Sequence, residues 1–252
     1  MLKISNLYKS FASQAEPVLS NIDLTIKKGE FCIILGGNGS GKTTLLKTIL
    51  GEYQPDSGNV FLEKKCITDM QPYQRARYIS SVVQDVSRGT VAEMTLLENI
   101  TLSLLRGKNS RLCFYKNQEK EITEIIAEIG LGLEKYIHTP MERLSGGQKQ
   151  TIAILMGMLS ETELLLLDEH TSALDPKTQR LLMEYTEKKV KSLGLTTLMV
   201  THNIDDAIKY GDRLVMLHHG KVVLDVEGAN KDVLTKEKLL QLYHSIEDQL
   251  GL

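Results

Sequence analysis

The sequence predicts an α/β protein with a mostly parallel sheet covered by helices, antiparallel strands at the N-terminus and an inserted helical subdomain. Three observations predict it. Short apolar runs at Phe31–Leu35, Leu164–Leu167 and Leu214–Leu217 have the pattern of strands buried on both faces. They alternate with helical stretches, the usual connection between parallel strands. From Asp85 to Leu159 the strand pattern disappears and helical periods replace it.

Each element follows in order. Val18–Ile26 alternates apolar and polar residues with period two, and Lys27-Lys28-Gly29-Glu30 turns the chain into Phe31–Leu35. Thr43–Leu50 reads as a helix stopped at Gly51. Pro55-Asp56-Ser57-Gly58 reads as a turn before a short strand, Asn59–Leu62, and Tyr78–Val83 as another strand ending at Gln84. In the inserted segment Ile122, Ile125, Ile126 and Ile129 recur at helical spacing. Pro176–Leu193 predicts a helix and Thr197–Val200 a strand. His218-His219-Gly220-Lys221 predicts a hairpin turn into Val222–Val226, and the last twenty or so residues a polar helical tail. The expected organisation is one domain: a core from 1–84 and 161–226, a helical subdomain from 85–160 and a tail from 227–252.

Bulk composition narrows the function classes. With 252 residues and 42% hydrophobic content a buried core is easy to build. A net charge of −2 gives no footprint for nucleic acid, and none is expected as a partner. Cys32, Cys66 and Cys113 form no metal-spaced pair, and Cys32 reads as a small buried hydrophobe. Met1–Asn6 lacks the basic-then-apolar pattern of a secretory signal. The apolar runs fall well short of the roughly 20 residues that span a bilayer, so a membrane role is expected only through a partner.

Gly36-Gly37-Asn38-Gly39-Ser40-Gly41-Lys42-Thr43 fits G-x-x-x-x-G-K-[ST] between a predicted strand and a predicted helix. Glycines let successive backbone N–H groups converge on phosphate, and the helix start adds a partial positive charge. Lys42 places a full charge against the β- and γ-phosphates of ATP, while Thr43, followed by Thr44, offers a hydroxyl for Mg²⁺. Leu164–Leu167 ends in Asp168 and Glu169, at the strand end where ligands collect in parallel sheets. Asp168 is the expected metal ligand and Glu169 the expected general base for water. Gln84 and His202 also close strands. A lone glutamine or histidine is unremarkable, so their case as metal, water or γ-phosphate contacts rests on position.

Leu144-Ser145-Gly146-Gly147-Gln148 adds a second helix start that can bind an anion, with Ser145 as N-cap and two glycines exposing N–H groups. One chain already has a complete phosphate cradle, so the second suggests a site shared between two chains.

With this segment the chain resembles the ABC ATPase family of P-loop NTPases, whose signature is LSGGQ, from Leu2 to about Val226. The resemblance implies ATP and Mg²⁺ as cofactors and a head-to-tail dimer. In that dimer Ser145, Gly146, Gly147 and Gln148 of one copy contact the nucleotide held by Lys42 of the other. It further implies that Gln84 contacts Mg²⁺, that Ser172-Ala173-Leu174-Asp175 is the D-loop, and that His202 is the switch histidine. The same resemblance implies that Phe11 stacks on adenine, with Tyr8 the other, lesser candidate.

One position departs from the family pattern. Most members have proline after the catalytic glutamate; here Glu169 is followed by His170, which either fills a turn or tunes the surroundings of Glu169. The run from Glu169 to Thr178 and Thr196–Asn203 is similar to a bacterial importer group that includes tryptophan- or tyrosine-type amino-acid uptake systems. That group pairs the ATPase with a permease and a substrate-binding lipoprotein, and places it on the cytoplasmic side of the cell membrane. The alternatives are a lipoprotein-release or efflux ATPase and a soluble ABC ATPase without a transport role. Arg106, Lys108, Arg111, Lys116 and Lys120 form either a solvated face or a contact with lipid or permease.

Overall fold

The computed structural model describes residues 1–83, 85, 89–105, 118–160, 162–169, 171 and 174–250, without the side chains of 244 and 246–250. Along the chain run β1 (Leu2–Lys9), β2 (Leu19–Ile26), β3 (Phe31–Leu35), α1 (Lys42–Leu50), β4 (Ser57–Leu62), β5 (Lys65–Cys66) and α2 (Pro72–Arg75). Then come β6 (Ile79–Val82), α3 (Leu96–Leu104), α4 (Glu119–Ala127), α5 (Gly146–Leu159), β7 (Leu164–Asp168) and α6 (Pro176–Leu193). The last are β8 (Thr197–Thr201), α7 (Ile204–Lys209), β9 (Arg213–His218), β10 (Lys221–Glu227), α8 (Ala229–Asp232) and α9 (Lys236–Leu250). These elements fall into two units, Met1–Arg75 with Thr196–Leu252, and Ala76–Leu195.

The first unit holds an antiparallel sheet in the order β2-β1-β4-β5. In β2 the alternation read from the sequence is realised: Leu19, Ile22, Leu24 and Ile26 are buried while Asn21, Asp23 and Thr25 are exposed. β4 begins at Ser57, inside the expected turn, because Ser57 pairs with Tyr8 across a register shift in β1. The unit's other strands centre on β3, all five of whose residues are buried. β3 runs parallel to β8 on one side and to β9 on the other, and β10 pairs antiparallel with β9. A strand with neighbours on both edges and cover on both faces must be apolar throughout, the pattern Phe31–Leu35 shows.

In the second unit β6 and β7 are parallel, with Ile79 opposite Leu164 and Val82 opposite Leu167. Both begin or end within a residue or two of the expected bounds. α3 starts at a reciprocal cap: Thr95 Oγ1 accepts from the Glu98 N–H and the Glu98 carboxylate accepts from the Thr95 N–H. α4 buries Ile122 and Ile126 of the predicted stripe, with Ile129 buried just beyond its end. α5 begins at the predicted helix start, α6 matches its predicted span, and α6 is stopped by Gly194 in the left-handed conformation. β5, α2, α7 and α8 have no counterpart in the sequence reading, since elements of two to six residues are too short to show a period. Among the described residues no helix is long and apolar enough to cross a membrane.

Candidate functional site

In the first unit the glycine-rich segment joins β3 to α1. Gly41 is the N-cap of α1, at φ 101°, and supplies no side-chain cap. No side chain at the cap therefore competes with an anion at the positive end of the α1 dipole. Gly39 is also left-handed, at φ 78°, and a Cβ there would meet nothing within 4 Å. The Ser40 hydroxyl is buried and has no hydrogen-bond partner among the described residues. A buried donor without a partner, in a loop open at Gly39, fits an anionic ligand that completes the site.

Lys42 is 5% exposed, and its ammonium donates to the carbonyls of Gly36 at 2.9 Å and Gly37 at 2.8 Å. The loop thus holds its own cation in place with its own oxygens. Thr43 is exposed in the first turn of α1, an oxygen donor of the kind hard cations take. The Thr44 carbonyl accepts from the Thr48 hydroxyl at 2.8 Å within the helix. The loop is also braced from outside: the Gly220 N–H, in the turn between β9 and β10, donates to the Ser40 carbonyl at 3.0 Å.

Strand register places His202. Leu35, the last residue of β3, lies opposite Thr201, the last of β8. The residues that follow, Gly36 and His202, therefore leave the same edge of the unit. Asn203 then caps α7, its side chain accepting from the Asp205 and Asp206 N–H groups, while His202 stays exposed. Phe11 is half-buried, its ring edge-to-face with Tyr53 at a centroid distance of 5.2 Å and 5.3 Å from Lys9 Nζ.

In the second unit β7 buries Leu164–Leu167 and delivers Asp168 and Glu169 half-buried at its carboxyl end. Glu169 has φ 44°, a left-handed conformation that a residue with a Cβ adopts at a cost of about 1–3 kcal/mol. Strain of this kind collects where a side chain has to be aimed. Val82 opposite Leu167 brings the end of β6 to the same edge. Gln84, two residues on, lies outside the described residues, as do His170, Ser172, Ala173 and the basic positions Arg106, Lys108, Arg111 and Lys116. Asp175 caps α6, and hydrogen bonds from Thr178 and Lys177 hold its carboxyl below the usual range.

Also in this unit, α5 begins with a reciprocal cap. Ser145 Oγ accepts from the Gln148 N–H at 3.3 Å, and Gln148 Oε1 accepts from the Ser145 N–H at 2.9 Å. The Ser145 hydroxyl proton has no acceptor among the described residues, and a Cβ on Gly146 would stand in open space. Gln148 thereby has a local structural task that the sequence pattern already contained.

The loop brace from Gly220 escapes the sequence reading. His218-His219-Gly220-Lys221 signals a turn, but nothing in a turn signal says which carbonyl its N–H reaches.

Known proteins resemble this chain in sequence and in fold. The sequence profile described as ABC transporter matches residues 19–172. A tyrosine transport ATP-binding protein of Clostridioides difficile is 44% identical, over 96% of this chain and 98% of that protein. A thiamine import ATP-binding protein of Photobacterium profundum is 36% identical, over 90% of this chain and 89% of its own. Of several other transport ATP-binding proteins that it matches, the chain spans little more than half the length. A dimeric ATP-binding cassette solved in a post-hydrolysis state with ADP and Pi superposes with a TM-score of 0.78 at 29% identity, over 90% of this chain and 98% of that one.

Proposed function

We propose, on the premise that the chain belongs to the ABC transporter family and is an ATP-binding, ATP-hydrolysing subunit, that it powers import of an amino acid of the tyrosine or tryptophan type. The observation that carries this reading is the 44% identity to a tyrosine transport ATP-binding protein across almost the full length of both chains. It acts as a homodimer beneath a separate membrane permease, on the cytoplasmic face, with a substrate-binding lipoprotein delivering the solute. The dimeric form of the cassette with ADP and Pi supports the homodimer.

The chemistry is phosphoryl transfer to water. N–H groups of the loop from Gly36 to Thr44 cradle the phosphates, and Lys42 leaves the Gly36 and Gly37 carbonyls to balance phosphate charge. Phe11 stacks on adenine. Glu169 accepts the proton of the attacking water, and His202 hydrogen-bonds the γ-phosphate. Mg²⁺, when bound, neutralises charge that develops on the phosphate oxygens; Thr43, Gln84 and Asp168 are the oxygen donors assigned to it. Ser145, Gly146, Gly147 and Gln148 present the start of α5 to the nucleotide of the partner copy. A helix start that completes the site only in a dimer makes hydrolysis depend on two copies.

The test is cellular and biochemical. Deleting the gene should abolish uptake of radiolabelled tyrosine or tryptophan, and the tagged chain should co-purify with a multi-helix membrane protein. Unchanged uptake, with only soluble partners recovered, would sink the importer reading.

A further inference from the structure

From sequence α9 is only a polar tail; in the structure it is docked. Lys236 Nζ pairs with the Asp205 carboxylate at 2.8 Å, three residues beyond His202, and Leu239 is 1% exposed. About two turns beyond Lys236, Tyr243 comes against the phosphate loop. Its ring lies edge-to-face with His218, with centroids 5.4 Å apart and planes at 83°. A Cβ built on Gly37 would stand 3.1 Å from the Tyr243 hydroxyl oxygen, closer than nearly all real Cβ contacts. Gly37 is not in the left-handed region, so space rather than backbone conformation is what this tyrosine takes from position 37.

These contacts converge on the peptides that hold Lys42. The Gly37 carbonyl is one of the two oxygens on the Lys42 ammonium. His218 ends β9, and two residues later Gly220 donates to the Ser40 carbonyl. The loop is therefore bonded at Ser40 and closely approached by the Tyr243 hydroxyl at Gly37, and His218 packs against that tyrosine.

We infer that Tyr243 is a positioning residue for nucleotide binding: α9 straps the backbone at Gly37 in the shape that receives the polyphosphate. The inference rests on the reading of Gly36–Thr43 as the nucleotide loop. Glycine-rich backbone loses more freedom on ordering than any other. A contact already made in the free protein removes part of that cost from the binding step, so it acts on affinity and leaves the chemical step alone.

The experiment uses the full chain, steady-state hydrolysis of Mg-ATP and equilibrium binding of a fluorescent ATP analogue. Tyr243→Ala should raise the KM for ATP and the Kd of the analogue about five- to tenfold, with kcat within about twofold. Tyr243→Phe, which keeps the ring against His218 but removes the hydroxyl that approaches Gly37, should fall between Tyr243→Ala and the parent. Gly37→Ala should raise KM in the parent protein, and by at least about threefold less in the Tyr243→Phe background, where the hydroxyl no longer crowds the new Cβ.

Wild-type KM and Kd in a folded Tyr243→Ala protein, or additive Gly37→Ala and Tyr243→Phe effects, would overturn the strap. If Tyr243→Ala does not fold, the double-mutant cycle decides alone. Lys42→Ala reports separately on the loop: normal ATP binding and turnover there would remove the loop reading itself. A failure of the strap alone leaves Lys42→Ala inactive.

Discussion

Nη1 of Arg75 donates to the Thr48 carbonyl at 2.8 Å, placing a buried cation at the far end of the helix that begins with Lys42. The same nitrogen reaches the Ile49 carbonyl at 2.8 Å, Nη2 the Thr68 carbonyl at 2.6 Å and Nε the Met70 carbonyl at 2.9 Å. Burial pushes its pKa below the ordinary guanidinium value, yet an arginine stays charged at any accessible pH. The charge is tolerated because four carbonyls accept from it, two of them at the C-terminus of α1, the negative end of that helix.

Replacing this fork should be costly even with charge retained. Arg75→Lys supplies one nitrogen for four carbonyls and leaves buried acceptors unpaired, a loss of about 2–4 kcal/mol. The urea midpoint should fall accordingly, and an unmoved midpoint would show that the four bonds contribute nothing net.

Glu169→Gln removes the carboxylate proposed as proton acceptor and keeps the shape. Turnover of ATP should fall at least about a hundredfold, with ATP still bound. The variant should elute as a dimer in the presence of ATP on size exclusion. Hydrolysis at the parent rate would show that another group activates water.

Two loop glycines should differ sharply. At Gly41, φ 101° and a Cβ that would lie 2.7 Å from the Val18 carbonyl oxygen both forbid a side chain. Gly41→Ala should cost about 2–4 kcal/mol from strain and overpacking together. Gly39 has the left-handed φ but open space, and Gly39→Ala should cost about 1 kcal/mol. Thermal melts of the two variants measure the gap; equal melting temperatures would contradict the steric account.

Thiol labelling should separate two cysteines. Cys32 is fully buried in β3, and burial pushes its thiol pKa up, whereas Cys66 is exposed. Alkylation of the native chain, read by peptide mass, should modify Cys66 and reach Cys32 at least about a hundredfold more slowly, until urea unfolds the protein. Equal rates at both would mean that β3 opens readily.

Legibility followed the range of the forces involved. Phe31–Leu35, Pro176–Leu193 and the start of α5 at Ser145 were readable because each rests on local pattern: a buried run, a helical stretch between strands, a serine N-cap before two glycines. The loop motif was readable for the same reason, since its chemistry lies in consecutive residues. Ser57 illustrates the converse: its dipeptide signals are those of a turn, but pairing with Tyr8 draws it into β4.

The sequence by itself determined a glycine-rich loop before a helix, strand-end carboxylates and a second glycine-led helix start, because those depend on residue type at short spacing. Only tertiary structure decided that Arg75 closes α1, that Gly220 holds Ser40 and that Tyr243 of the tail meets Gly37. These contacts join residues 27, 180 and 206 positions apart along the chain, and no local propensity encodes a meeting of that kind. Chain packing brings them together, and two of the three lie against a glycine-rich loop whose backbone has much freedom to lose.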